Sequence, residues 1–202
     1  MTYQELGTFC KNYVAQLYAG RTDKFLIFHN LAHTCRVVER AEQILSYYQL
    51  PDRERFVVIA AALFHDVGYL YNDLVAHEET GAAVANKLLQ SQNVDEEDIL
   101  EVLGCILATS LPQHPTGLLQ SIVCDADLFH LGTSEFFPRD ALMLAETEVR
   151  KGIKIAPRTW IESTIELMEN HHFHTQYCKM LLDGPKGTNL EKLKIKLEQI
   201  PE

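Results

Sequence analysis

Apolar residues recur at steps of three and four along almost the whole chain, and no alternating apolar–polar run longer than a few residues interrupts them. That period matches the turn of an α-helix rather than the two-residue repeat of a strand, so the chain is predicted to be all-α. Residues 2–19 put Tyr3, Leu6, Cys10, Tyr13, Val14 and Leu17 on one side and end at Gly20. A second helix is predicted from about Leu31 to Tyr48, with Val37, Ala41, Ile44 and Leu45 on its inward stripe. A third opens at Pro51-Asp52 and is apolar on most faces from Phe56 to Phe64, which predicts burial deep in the core. Gly68 breaks it, and Tyr69 to Ala76 reads as a loop. Further helices are predicted at about His77 to Leu89, Glu96 to Leu107, Leu118 to Leu131, Phe136 to Arg150, Pro157 to Asn170 and Leu190 to Ile200. The SLPQHPTG stretch is a loop. With no internal repeat and no low-complexity linker, the 202 residues suit one domain, 1–202, of eight to ten helices.

Composition excludes several partners. A formal charge of −10 disfavours duplex nucleic acid, whose phosphates select basic surfaces, yet leaves room for a small anionic substrate beside a cation. No apolar run approaches the ~18 residues of a membrane span, so no membrane partner is expected. The start, MTYQELGTFCKNYV, lacks the pattern of a secretory signal, which points to the cytoplasm. Five scattered cysteines with no CxxC pair argue against a disulfide framework and against a cysteine-based zinc site. Nothing in the sequence sets the oligomeric state.

Three segments combine metal-ligand residue types with predicted burial. FHNLAHTCRVVERA carries His29 and His33 four residues apart, a spacing that places both imidazoles on one side of a helix. AALFHDVGY places His65 and Asp66 at the end of the most apolar helix, and SIVCDADLFHLG places Asp125 and Asp127 in another apolar one. A carboxylate buried without a partner costs several kcal/mol, so an Asp inside an apolar helix needs one. A divalent cation offsets several such carboxylates and imidazoles together, and mixed N/O ligation suits Mn, Fe, Zn, Ni or Co. Asp125 and Asp127 both border the apolar stripe, so periodicity does not separate them.

The order H…HD…D, with FHNxxH, AALFHDVGY and DADLFHLG in sequence, resembles the HD superfamily of metal-dependent phosphohydrolases. The resemblance covers about Phe28 to Gly132, with flanking helices completing the bundle. It implies one divalent metal (Mn, Fe, Zn, Ni, Co or Mg) held by His33, His65, Asp66 and Asp127, the family placing the ligand on the second Asp of DAD. It implies hydrolysis of a small phosphorylated substrate, a nucleotide or another phosphate ester. Asp66 or Asp127 would orient the attacking water. His29 resembles the first His of the YHNxxH motif in cyclic-nucleotide phosphodiesterases, which protonates the leaving oxygen; it could equally orient the site or cap the helix. His77 and Glu78 stand where many members carry a functional His or Glu, the alternative being a solvated first helical turn. HDVGYLYN lacks the acidic pair of the members that hydrolyse guanosine tetraphosphate. The HHFHT tract (His171, His172, His174) has no Cys or carboxylate partner nearby. Two rivals stay open: a catalytically silent HD-type signalling module, and a di-iron HD-fold oxygenase.

Overall fold

A computed structural model of the chain describes residues 1–21, 25–71 and 76–200, and among them every regular element is helical. The described residues form nine α-helices: α1 (Tyr3–Ala19), α2 (Leu31–Tyr48), α3 (Asp52–Phe64), α4 (His77–Ser91), α5 (Glu96–Leu107), α6 (Leu118–Asp127), α7 (Phe136–Lys151), α8 (Pro157–Asn170) and α9 (Gln176–Glu198). Two 3-10 turns, Val67–Tyr71 and Phe129–Gly132, join them. Packing groups the described residues of 1–23 and 29–127 into one compact unit, and those of 24–28 and 128–202 into another.

The first unit is built around α3. This helix carries Phe56, Val57, Val58 and the run Ala60 to Phe64, all buried, and α1, α2, α5 and α6 pack against it. Each large apolar side chain removed from water in this way contributes roughly 1.5–3 kcal/mol. Local signals fix the helix starts. Thr2 and Glu5 form a reciprocal capping box on α1, and the Asn30 side chain accepts from His33 N–H at the start of α2. The acidic first turn of α5 does more than oppose a helix dipole. Arg53 of α3 reaches the buried Asp98 at 2.6 Å and Glu101 at 2.9 Å, and the Tyr3 hydroxyl donates to Asp98 at 3.0 Å. One carboxylate thus ties α1, α3 and α5 together.

In the second unit, α9 packs on α8 and on the turn Phe129–Gly132, where a Cβ added to Gly132 would collide with Leu182. Glu146 of α7, almost fully buried, accepts from Phe28 N–H at 2.6 Å and from Arg150 at 2.9 Å. The Arg139 guanidinium lies over the Phe28 ring.

Three expectations need correction. The final helix starts at Gln176, not near Leu190, because Thr175 caps it and Leu182, Asn189 and Leu193 bury its face. That packing overrides Gly184, Pro185 and Gly187, of which Pro alone disfavours a helix interior by about 3 kcal/mol. The predicted helix to Leu131 instead ends at Asp127 and tightens into the 3-10 turn Phe129–Gly132. Finally, Tyr69 to Tyr71 belong to the 3-10 turn rather than a loop, while 72–75 lie outside the described residues.

Candidate metal centre

The first turn of α2, the end of α3 and the last residue of α6 converge inside the first unit. His33, His65 and Asp127 each offer a ligand atom there, and these atoms lie within 4.8 Å of one another. His33 Nε2 is 3.3 Å and His65 Nε2 3.5 Å from Asp127 Oδ1. Asp66 Oδ2 meets the same two nitrogens, at 3.1 Å from His33 and 3.0 Å from His65. Local structure explains the placement. His33 sits one turn into α2, fixed through its backbone by Asn30. His65 caps the C-terminus of α3, and its Nδ1 is 2.9 Å from Ala62 O. That contact keeps a proton on Nδ1 and turns Nε2 toward the carboxylates.

This donor set fits a divalent cation. Two imidazole nitrogens and carboxylate oxygens meet in a space closed to water on the His65 side, with side-chain exposure of 1% for His65 against 18% for Asp127. His65 Nε2 and Asp66 Oδ2 are buried, and although 3.0 Å apart they are not aligned as a hydrogen bond. Such a polar pair costs free energy unless something bridges it. Nitrogen and oxygen donors together suit first-row divalent ions. Protons stand in for that charge. Burial opposes a charged His65, but Asp66 and Asp127 outweigh it and hold the imidazolium well above the usual histidine range. Burial likewise opposes the Asp66 carboxylate, and His65, His29 and His33 hold it well below the usual carboxylate range. Asp127 is lowered too, against its burial, by His33 and His65.

The remaining predicted residues border this cluster. His77, the first residue of α4, has Nε2 4.0 Å from Asp66 Oδ1 and 3.2 Å from Glu78 Oε1. Burial lowers its pKa, partly offset by Asp66 and Glu78. Glu78 is itself buried while Glu79 beside it is exposed, so this first turn is solvated on one side only. His29 is not on the helix: Asn30 is the cap, and His29 precedes it. Its ring nevertheless lies 6.0 Å from that of His33, nearly perpendicular. Asp125 is fully buried and lies outside the triad. The tract of His171, His172 and His174 joins α8 to α9 and forms no metal-type cluster among the described residues.

Sequence reasoning missed the part that three residues play here. Gly68 is more than a helix breaker, because a Cβ at that position would overlap the backbone of His77. Gly81 similarly lets α4 approach Phe64 O, which a Cβ would meet at 2.5 Å. Tyr69 stacks on both His29 and His77, at ring-centroid distances of 3.9 and 4.1 Å. The glycine in HDVGY was a visible signal of close approach; an aromatic in a short turn gives no periodic signal.

The HD domain model matches residues 30–132, the stretch that contains His33, His65, Asp66 and Asp127. The chain belongs to the HD domain family. Its solved neighbours share the fold along nearly the whole chain. A protein described as a predicted HD superfamily hydrolase, from an uncultured Thermotogales bacterium, is 23% identical over 95% of this chain and 91% of its own, with a TM-score of 0.63. YpgQ of Bacillus subtilis, solved in complex with ADP, is 18% identical over 100% and 98%, at 0.68. The Lin1889 protein of Listeria innocua is 16% identical over the full length of both chains, at 0.67. No curated relative matches the sequence. At these identities the likeness is one of fold. The metal triad of this HD domain rests on its own side chains.

Proposed function

We propose that this HD-domain protein is a divalent-metal-dependent phosphohydrolase acting on a nucleotide or another small phosphate ester. The convergence of His33, His65 and Asp127 within 4.8 Å carries the reading, and Asp66 is assigned as the fourth ligand from its contacts with both histidines. A divalent ion held there supplies Lewis acidity, lowering the pKa of a coordinated water and polarising a phosphoryl oxygen.

The chain's own groups supply the rest. Asp66 Oδ1 faces away from the two ligand histidines toward His77, so it is placed to accept a hydrogen bond from the attacking water. His29 and His77 stand on either side of Tyr69 and provide imidazole N–H groups for the leaving alkoxide. Glu78 holds His77 through its 3.2 Å contact. Asp127 and His77, each with a side chain 18% exposed, mark the face by which a substrate approaches.

The nucleotide assignment draws support from the ADP complex of YpgQ. The charge of −10 favours a small phosphate ester over duplex nucleic acid. No helix among the described residues is long and apolar enough to cross a membrane, and none of the five cysteines is in a disulfide. A cytoplasmic enzyme accords with both. The test is a panel of nucleoside mono-, di- and triphosphates, alkyl phosphates and nitrophenyl phosphate, each with Mn, Co, Ni, Zn or Mg added. Metal-stimulated release of phosphate or pyrophosphate from at least one substrate is expected. A protein that binds metal yet leaves the whole panel intact would instead be a silent HD module.

A further inference from the structure

We propose that Tyr69 is a positioning residue, its ring clamped between the imidazoles of His29 and His77 so that both are held at the edge of the metal centre. The inference rests on the phosphohydrolase reading and extends it to a residue given no role there. The two rings flank Tyr69 nearly in parallel, His29 at 3.9 Å and 19°, His77 at 4.1 Å and 28°. Stacked contacts of this kind are favourable and set ring orientation.

The histidines need such a device because their backbones do not impose one. His29 precedes the cap of α2, outside the helical ladder, and His77 is the first residue of α4. They come from separate elements and share Tyr69 as a common wall. Gly68 makes the arrangement possible: without a side chain, the 3-10 turn lies against the backbone of His77, and the next residue then meets the imidazole face to face. Glu78 meets the His77 ring at Nε2, the same nitrogen that faces Asp66, leaving Tyr69 to fix its plane. With both faces covered, the Tyr69 ring is no platform for a nucleobase. It acts through the histidines.

The test compares Tyr69→Phe and Tyr69→Leu in the full-length protein. The residue is only half-buried, and Tyr69→Met serves as a second non-aromatic variant if the leucine form does not fold. The first readout needs no catalysis: the imidazole Cε1–H signals of His29 and His77, shielded by the ring between them, are followed by NMR in the zinc-loaded protein. Both should shift together in Tyr69→Leu or Tyr69→Met and stay near the wild-type positions in Tyr69→Phe. Metal per chain should be unchanged in all. In turnover, the non-aromatic variants should lose tenfold or more of kcat on alkyl phosphates and little on nitrophenyl phosphate, with Tyr69→Phe restoring the wild-type pattern. Histidine signals that do not move, or equal losses on both esters, would overturn the proposal. If the wild-type protein hydrolyses no ester, the functional reading fails and the positioning role with it, while the NMR result still decides whether the clamp exists.

Discussion

His33 Nε2 lies 3.3 Å from Asp127 Oδ1, one side chain from the first turn of α2 and the other from the last residue of α6. Two positions apart on α6, the two side chains project about 200° from each other, Asp127 toward the histidines and Asp125 into the core. Asp127→Asn should therefore weaken metal binding by more than the roughly 10–100-fold typical of residues one layer further out. Asp125→Asn should keep the metal and cost about 1–3 kcal/mol of stability. Metal per chain after dialysis and a denaturant titration check both. The reverse pattern would exchange the roles of the two aspartates.

Proton competition gives a second expectation. In the metal-free protein the folded His65 pKa lies above its unfolded value, so the stability it contributes is fully present below about pH 6.5 and is lost as pH rises through the folded value. A cation takes the Nε2 position and displaces that proton. Metal affinity should rise as pH climbs from about 6.5 through the raised folded value, with protons released on binding. Calorimetry in buffers of different ionisation enthalpy measures both, and a flat affinity without proton release would contradict the site.

His29→Ala should retain the metal, since His29 stands outside the triad. It should slow esters with poor leaving groups by roughly 10²–10⁴-fold, the usual worth of a general acid, while sparing nitrophenyl phosphate. Steady-state kinetics on the two esters separates the outcomes. Equal losses would mean that His29 only orients the site, and loss of metal would make it a ligand.

Much of this centre was legible in the sequence, and the exceptions have physical causes. The bounds of α5, from Glu96 to Leu107, follow from an acidic start and a regular apolar stripe. The choice of Asp127 over Asp125 did not follow from periodicity, because both border the stripe; the positions of His33 and His65 beside Asp127 decide it. Spacing suggested that His29 and His33 share a helix. The Asn30 cap puts His29 outside it, and their proximity survives through the turn that precedes the cap. The early start of α9 was hidden by Gly184, Pro185 and Gly187, residues whose local preference yields to tertiary packing. Tyr69 contributes through contacts made in space alone.

Two glycines test the packing around the site. A Cβ at Gly68 would overlap His77 backbone, whereas one at Gly7 of α1 meets nothing within 4 Å. Gly68→Ala should destabilise the fold by about 1–3 kcal/mol or more, and Gly7→Ala should stabilise it by roughly 0.5–1 kcal/mol. Urea unfolding of both variants reads this directly. A neutral Gly68→Ala would mean that the 3-10 turn does not press on α4.

The central claim is that His33, His65, Asp66 and Asp127 hold a divalent metal required for hydrolysis. Elemental analysis of the purified protein beside His65→Ala, with turnover measured on the same samples, tests it most directly. About one tightly held metal per wild-type chain is expected, with loss of both metal and activity in the variant. Metal and turnover that survive His65→Ala would place the active centre elsewhere.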